Sequence, residues 1–252
     1  NGNIILSKDN KFFTFLSKKA KKKGINVISF SNKKKSDVSL ISVKNFKKKF
    51  KIKIKLKNKI FNFETKFSTK SFINNLLACI SAISVLNLDL IKLKQEFLKF
   101  KIPEGRGDIN IIKKFNKKFK FIDESYNANP LSMKSALNNM KYYKKEHNGK
   151  KIVFLGDMLE LGKDSKKLHI DLSTIINKSD IDKVFVYGKY IQETFNSLSK
   201  KKKGKVFSSL KEAYKHFGQI INNNDILMVK GSNATGLNQF SKSIKKGNIG
   251  AL

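Results

Sequence analysis

Two carboxylates, a hydroxyl, a phenol and two side-chain amides stand close together in Asp123-Glu124-Ser125-Tyr126-Asn127-Ala128-Asn129-Pro130. Two further polar strings lie downstream, Leu155-Gly156-Asp157-Met158-Leu159-Glu160-Leu161-Gly162 and Val229-Lys230-Gly231-Ser232-Asn233. Each begins where a short apolar run ends, and such runs read as strands. An open α/β sheet gathers its ligand-binding loops at its strand ends, where helix N-termini present free N–H groups. The three strings therefore predict one shared polar rim. A plain turn between Asp123 and Pro130 would need only Asn and Pro for capping, so the surplus of donors and acceptors marks a binding loop. A carboxylate at such a strand end can take both hydroxyls of a ribose, and the amides can hold a carboxylate or a peptide group.

The other strings carry simpler chemistry. Gly156 permits close approach of a backbone, while Asp157 can either accept from a ligand ammonium or cap a helix. Lys230-Gly231-Ser232 has the makings of a small anion site, where an ammonium and exposed N–H groups converge, with an ordinary turn as the alternative. His169 falls on a predicted helix and reads as a packing or surface residue before it reads as a base. His147 and His216 lie in lysine-rich surroundings without metal-ligand spacing.

These side chains need a scaffold, and the rhythm of the chain supplies one. Residues 1 to about 65 read mostly as strands, with 4–6, then a lysine-rich helix over 12–23, then 27–30. Over 46–63 apolar residues (Phe50, Ile52, Ile54, Leu56) alternate with lysines, the period of a half-buried antiparallel pair. Helical spacing follows over 72–86 and 90–100. Pro103-Glu104-Gly105-Arg106-Gly107 breaks it and reads as a domain boundary. Beyond it strands at 119–123, 151–155, 183–187, 205–207 and 226–230 alternate with helices at 131–143, 165–177, 191–198, 210–221 and 237–245. That alternation predicts a mainly parallel, doubly covered sheet, a Rossmann-like domain of about 150 residues. No Gly-x-Gly-x-x-Gly string occurs, so dinucleotide binding has no support.

A length of 252 residues with 40% apolar content is enough for a globular core. The formal charge of +35 would ordinarily point to nucleic acid or an anionic membrane, but 53 of the 54 basic side chains are lysine. Lys, Asn, Ile and Phe are inflated together along the whole chain, a codon-level bias. Specific phosphate or base readout would favour the bidentate fork of arginine; no specific nucleic-acid partner is expected. Against that background the lone Arg106 marks a place where an ammonium cannot replace a planar, always-charged group. Cys79 is the single cysteine, which excludes an intrachain disulfide, and it reads as a small apolar packing residue. No charged-then-apolar leader and no run of about 18 apolar residues occurs, so no membrane span and a reducing cytoplasm are expected. A first residue of Asn1 suggests a piece of a longer protein.

Together these strings resemble the Mur ligases, and within them the branch that adds D-alanyl-D-alanine to UDP-N-acetylmuramoyl-tripeptide. Ser125-Tyr126-Asn127-Ala128-Asn129-Pro130 and Leu155 to Gly162 are specific to that branch; a diamino-acid-adding relative would carry Asp-Asn-Pro-Arg instead. Asn3 to Asn10 resembles a late central-domain strand and turn, Asn74-Asn75-Leu76-Leu77-Ala78 a helix start with a nucleotide-contacting asparagine, and Glu104 to Gly107 the junction into the C-terminal domain. The resemblance implies an α/β fold: the C-terminal part of a central ATPase domain over 1–103, then a Rossmann-like C-terminal domain over 104–252. It implies a monomeric ligase that uses ATP and Mg²⁺ to phosphorylate the peptide carboxylate before an amine attacks. By the same resemblance Arg106 is catalytic and reaches ATP, Asn75 and Glu124 hold the nucleotide, and Tyr126, Asn127, Asn129, Asp157, Lys230 and Ser232 lie toward the substrates. Two departures stand out. Ser71 replaces the usual histidine, and no Gly-x-x-x-x-Gly-Lys-[Ser/Thr] loop exists in this chain, so by itself the chain is expected to be inactive.

Overall fold

The computed structural model describes residues 2–46 and 49–246, and the chain forms two compact units, Asn1–Lys101 and Ile102–Leu252.

The first unit holds β1 (Asn3–Ser7), α1 (Phe13–Lys22), β2 (Asn26–Ser31), β3 (Val38–Phe46), β4 (Lys49–Leu56), β5 (Lys59–Thr65), α2 (Lys70–Val85) and α3 (Glu96–Lys99). Its sheet runs in the order β1-β2-β3-β4-β5, parallel across the first three strands and antiparallel thereafter. The alternation in β4 works as its period requires: Ile52 and Ile54 are buried while Lys51 and Lys53 are exposed. The expected antiparallel pair over 46–63 is β4 with β5, and β3 adds a third antiparallel strand beside β4. β3 was illegible because a register shift between Leu40 and Ser42 breaks its period of two and its Ile41 and Val43 face solvent. Thr69 caps α2 by accepting from the Phe72 N–H, and Ile73, Leu76, Leu77 and Ile80 on that helix close the core over Ile52, Ile54 and Phe63. The helix expected over 90–100 is broken: Asp89 draws the N–H groups of Ile91 and Lys92 into a tight turn, so a 3₁₀ turn (Lys92–Gln95) precedes the short α3.

The second unit contains β6 (Asp108–Lys114), β7 (Lys117–Glu124), α4 (Pro130–Asn139), β8 (Lys151–Gly156), α5 (Ser165–Asn177), β9 (Lys183–Tyr187), α6 (Ile191–Asn196), β10 (Lys203–Phe207), α7 (Leu210–Ile220), β11 (Ile226–Lys230) and α8 (Leu237–Lys246). The sheet order is β10-β9-β8-β11-β7-β6, parallel except for β6, which pairs antiparallel with β7. Strand period two divides the core. Ile122, Val153, Leu155, Val184 and Met228 pack under the helices α4, α5 and α6, whereas Phe119, Phe121, Phe154, Phe185 and Phe207 pack under α7 and α8. β6 escaped the sequence reading because it is an edge strand whose Ile109 and Ile111 point to solvent. Its lysines suit an edge, since charge there discourages further pairing.

Candidate functional site

β11 is the last strand in the chain but lies between β7 and β8, with Lys230 in register with Glu124 on one side and Leu155 on the other. That insertion reverses the strand order and brings the three polar strings to one rim. Lys230 is fully buried there, donating from Nζ to Glu124 Oε2 at 3.3 Å and to the Asn127 carbonyl at 3.0 Å. Burial pulls its ammonium below the ordinary lysine value, against the opposing charge and hydrogen bond of Glu124. Burial also raises the Tyr143 phenol, and the Glu124 charge adds to it.

Tyr126, Asn127 and Asn129 stand exposed on the loop after β7. Asn129 doubles as the N-cap of α4: its Oδ1 accepts from Ser132 N–H at 2.8 Å while its own N–H donates to Ser132 Oγ at 3.0 Å, with Pro130 in the first turn. Ser232 knots the rim together. Its N–H donates to the Asp157 carbonyl at 3.0 Å, its Oγ accepts from Leu159 N–H at 3.0 Å, and the same hydroxyl reaches the Ala128 carbonyl at 3.4 Å. Gly156 and Gly231 let these ends meet, since a Cβ on Gly231 would stand 3.1 Å from Gly156 Cα and a Cβ on either would meet Leu237 at 2.6 Å.

Of the two readings open for Asp157, the geometry takes up capping. Its carboxylate accepts from the N–H groups of Lys189 (3.0 Å) and Ile191 (2.7 Å), so it caps α6 rather than the helix that follows its own strand. Gly188, at φ +135°, is packed so tightly on it that a Cβ would lie 2.5 Å from Asp157 Oδ1. His169 is buried and structural. Its Nε2 accepts from Met158 N–H at 3.0 Å and its Nδ1 faces the Ser165 carbonyl at 2.7 Å, partners that define the neutral Nδ1-protonated ring.

Arg106 reaches the same rim from the turn before β6. Gly105 and Gly107 adopt φ of +75° and +95°, Tyr126 N–H donates to the Gly105 carbonyl at 3.0 Å, and Gly107 N–H donates to the Asp123 carbonyl at 2.7 Å. The guanidinium then lies 4.4 Å from the centre of the Tyr126 ring, within cation–π range. Asn75 belongs to the first unit, exposed on α2 beside an Asn74 that accepts from Asn32 at 2.6 Å; Ser71 is exposed on the same helix. Cys79 is half-buried there, with its thiol pushed up by burial.

The sequence reading missed Asp108 and Lys245. The Lys245 ammonium bridges Asp108 and Asp123, 2.6 Å from each, and Asp108 in turn accepts from Gly105 N–H at 2.8 Å. Burial would lower Lys245, but the hydrogen bonds its ammonium donates to both carboxylates outweigh that and hold it above the ordinary lysine value. No local signal distinguishes this lysine from its many neighbours. His216 packs against Phe185 and Phe207, and burial, helped by Lys205, lowers its imidazole. Among the described residues no group of three or more His, Cys, Asp or Glu could hold a metal ion, and no helix is long and apolar enough to cross a membrane.

The rim therefore offers buried and exposed cations, a carboxylate and outward amides, a set suited to an anionic ligand bearing hydroxyl or peptide groups. The Mur ligase middle domain matches residues 1–83, and the Mur ligase glutamate ligase domain matches residues 109–233. The UDP-N-acetylmuramoyl-tripeptide--D-alanyl-D-alanine ligase of Rickettsia prowazekii (strain Madrid E) is 29% identical over 169 residues, 67% of this chain and 36% of that protein. A MurF ligase from Thermotoga maritima in complex with ADP superposes with a TM-score of 0.72 at 19% identity, covering 98% of this chain and 55% of the other. MurF from Acinetobacter baumannii gives a TM-score of 0.77 at 20% identity, covering 97% and 52%. The chain thus spans about a third of the first relative's length and about half that of the two structures.

Proposed function

The chain belongs to the Mur ligase family, whose middle and C-terminal domains it carries, and from that premise we propose that the whole protein joins D-alanyl-D-alanine to UDP-N-acetylmuramoyl-tripeptide. The reading places it in peptidoglycan synthesis, as a cytoplasmic, monomeric, ATP-dependent enzyme. A carboxylate oxygen of the tripeptide attacks the γ-phosphorus of ATP and ADP leaves. The dipeptide amine then attacks the acyl carbon, losing a proton, and phosphate departs as the peptide bond forms. Such chemistry needs alignment and charge neutralisation more than covalent help from the protein.

In this chain Arg106 supplies an exposed cation for the nucleotide phosphates, and Glu124 an acceptor for the ribose. Asn75 contributes a nucleotide contact from the middle domain. Asn127 and Asn129 present amides to the dipeptide beside the Tyr126 ring. Lys230 offsets negative charge from beneath the loop, and Asp157 and Ser232 hold the loop ends that shape the pocket. Bound Mg²⁺ would neutralise the triphosphate, but no ligand set for it stands among the described residues, and no residue here is assigned to it.

The observation that carries the reading is the meeting of Glu124, Asn127 and Lys230 at the strand-order reversal, on loops that bear the branch-specific strings. The chain alone lacks a phosphate-cradling Gly-Lys-[Ser/Thr] loop. The alternative reading is a non-catalytic paralogue that binds ligand without turnover. Calorimetric titration of the chain with D-alanyl-D-alanine tests the shared core of both: saturable heat is expected, weakened in Asn127→Ala, with none from L-alanyl-L-alanine. Equal heats from the two dipeptides, or none from either, would sink the dipeptide reading. Release of ADP by the whole protein, dependent on both substrates, separates ligase from paralogue.

A further inference from the structure

Arg106 is exposed, yet the turn that carries it is held at both ends by carboxylate residues. Gly105 N–H is held by Asp108 Oδ1 at 2.8 Å, and Gly107 N–H by the main-chain carbonyl of Asp123 at 2.7 Å. Asp108 and Asp123 are direct partners in the β6–β7 register, so their side chains share one face of the sheet. Asp123 is almost fully buried, and two carboxylates placed this way repel unless a cation stands between them. Lys245 is that cation, 2.6 Å from each, delivered by α8 from 137 positions beyond Asp108. A further hydrogen bond from Asn110 Nδ2 to Asp108 Oδ2 at 2.9 Å completes the cluster, and Asp123 Oδ1 accepts from Ser125 Oγ at 2.6 Å.

We propose that Lys245 is a positioning residue for Arg106: by clamping Asp108 to Asp123 it fixes the Gly105–Gly107 turn, and with it the direction in which the guanidinium meets an anionic ligand. The inference rests on the reading of Arg106 as a phosphate contact and adds the residue that aims it. Lys245 touches no ligand itself. Without it the two carboxylates move apart, Gly105 N–H loses a fixed acceptor, and the guanidinium leaves the ring.

The lone arginine makes this measurable. Selective ¹³C,¹⁵N-arginine labelling of the full chain gives one side-chain spin system, and stacking on Tyr126 should shift its δ protons upfield of free arginine. Lys245→Met is expected to return these signals toward free arginine and Lys245→Arg to retain the shift. Lys202→Met, at a buried lysine that donates to the Ser179 carbonyl, should leave them in place. Titration with pyrophosphate should move the Arg106 signals saturably, with about a tenfold weaker Kd in Lys245→Met. Unmoved Arg106 signals in a folded Lys245→Met chain would overturn the proposal. If that variant does not fold, Lys245→Gln decides, since its shorter amide can still donate but carries no charge to hold the two carboxylates together; a shift supports the clamp and an unchanged spectrum removes it. A wild-type chain that ignores pyrophosphate would instead refute the phosphate reading of Arg106, while the ring shift still judges Lys245.

Discussion

The neighbouring carboxylates Asp123 and Glu124 leave β7 on opposite faces of the sheet, and each meets a lysine with a different fate. Asp123 shares Lys245 with Asp108 under α8, and the ammonium is held above its ordinary value; Glu124 alone faces Lys230, and burial pulls that ammonium below it. The residue type is the same and the sign of the perturbation is reversed. What differs is the count of charged acceptors against the loss of water: two carboxylates outweigh desolvation, whereas one carboxylate and a carbonyl do not. Lys245 is accordingly a staple. Lys230 is a buried cation faced by one carboxylate.

The largest effect should come from breaking the staple. Lys245→Met leaves two poorly hydrated carboxylates facing each other, and urea denaturation should show a loss of about 3 kcal/mol. Lys230→Met removes a desolvated charge and leaves a Glu124 that still reaches water, so the loss should be about 1 kcal/mol or less. Equal losses would mean that the two devices do not differ in kind. For ligand binding the order should reverse: Lys230→Met is expected to weaken the D-alanyl-D-alanine titration by about tenfold, because the buried charge no longer offsets a ligand carboxylate from beneath the loop.

Alkaline pH should separate the pair next. With a folded value below 10.5, Lys230 binds fewer protons folded than unfolded, so its contribution to stability grows as pH rises from that lowered value toward 10.5. Lys245, with a folded value above 10.5, stabilises fully below 10.5 and loses that contribution as pH rises through its raised value. Differences in Tm between wild type and each variant, taken from pH 8 upward on the same buffers, cancel the other lysines. The gap to Lys230→Met should move in favour of wild type, and the gap to Lys245→Met should shrink. The smallest effect is expected from Glu124→Gln, which removes the one carboxylate holding Lys230 up. The Lys230 ammonium should then titrate lower still by ¹⁵N-detected NMR, and an upward move would refute the account of its environment.

Much of the second unit was legible along the chain. Strand and helix alternated with the right periods, and the strings at 123–130, 155–162 and 229–233 fell at observed strand ends. Two strands were not legible: β3, in the middle of its sheet, and β6, at the edge of its own, both expose apolar residues on the solvent side, so their alternation carries little contrast. Individual roles at the rim were less visible than the rim itself. Asp157 looked like a ligand acceptor or a cap for its own helix, and it turned out to cap α6, a partner reached only across the sheet.

The sequence by itself determined which segments pair with water and which with a core, where strands stop, and that the polar strings share one kind of strand end. These properties follow from local periodicity and turn chemistry, which act over a few residues. Tertiary structure alone decided that β11 enters between β7 and β8, bringing Lys230 to Glu124 across 106 positions, and that α8 returns Lys245 to Asp108 across 137. In a chain of lysines the residue type says only that a charge is present. Whether that charge is solvated, stapled or left wanting depends on how many carboxylates and how little water the fold places around it, and no neighbouring residue records that.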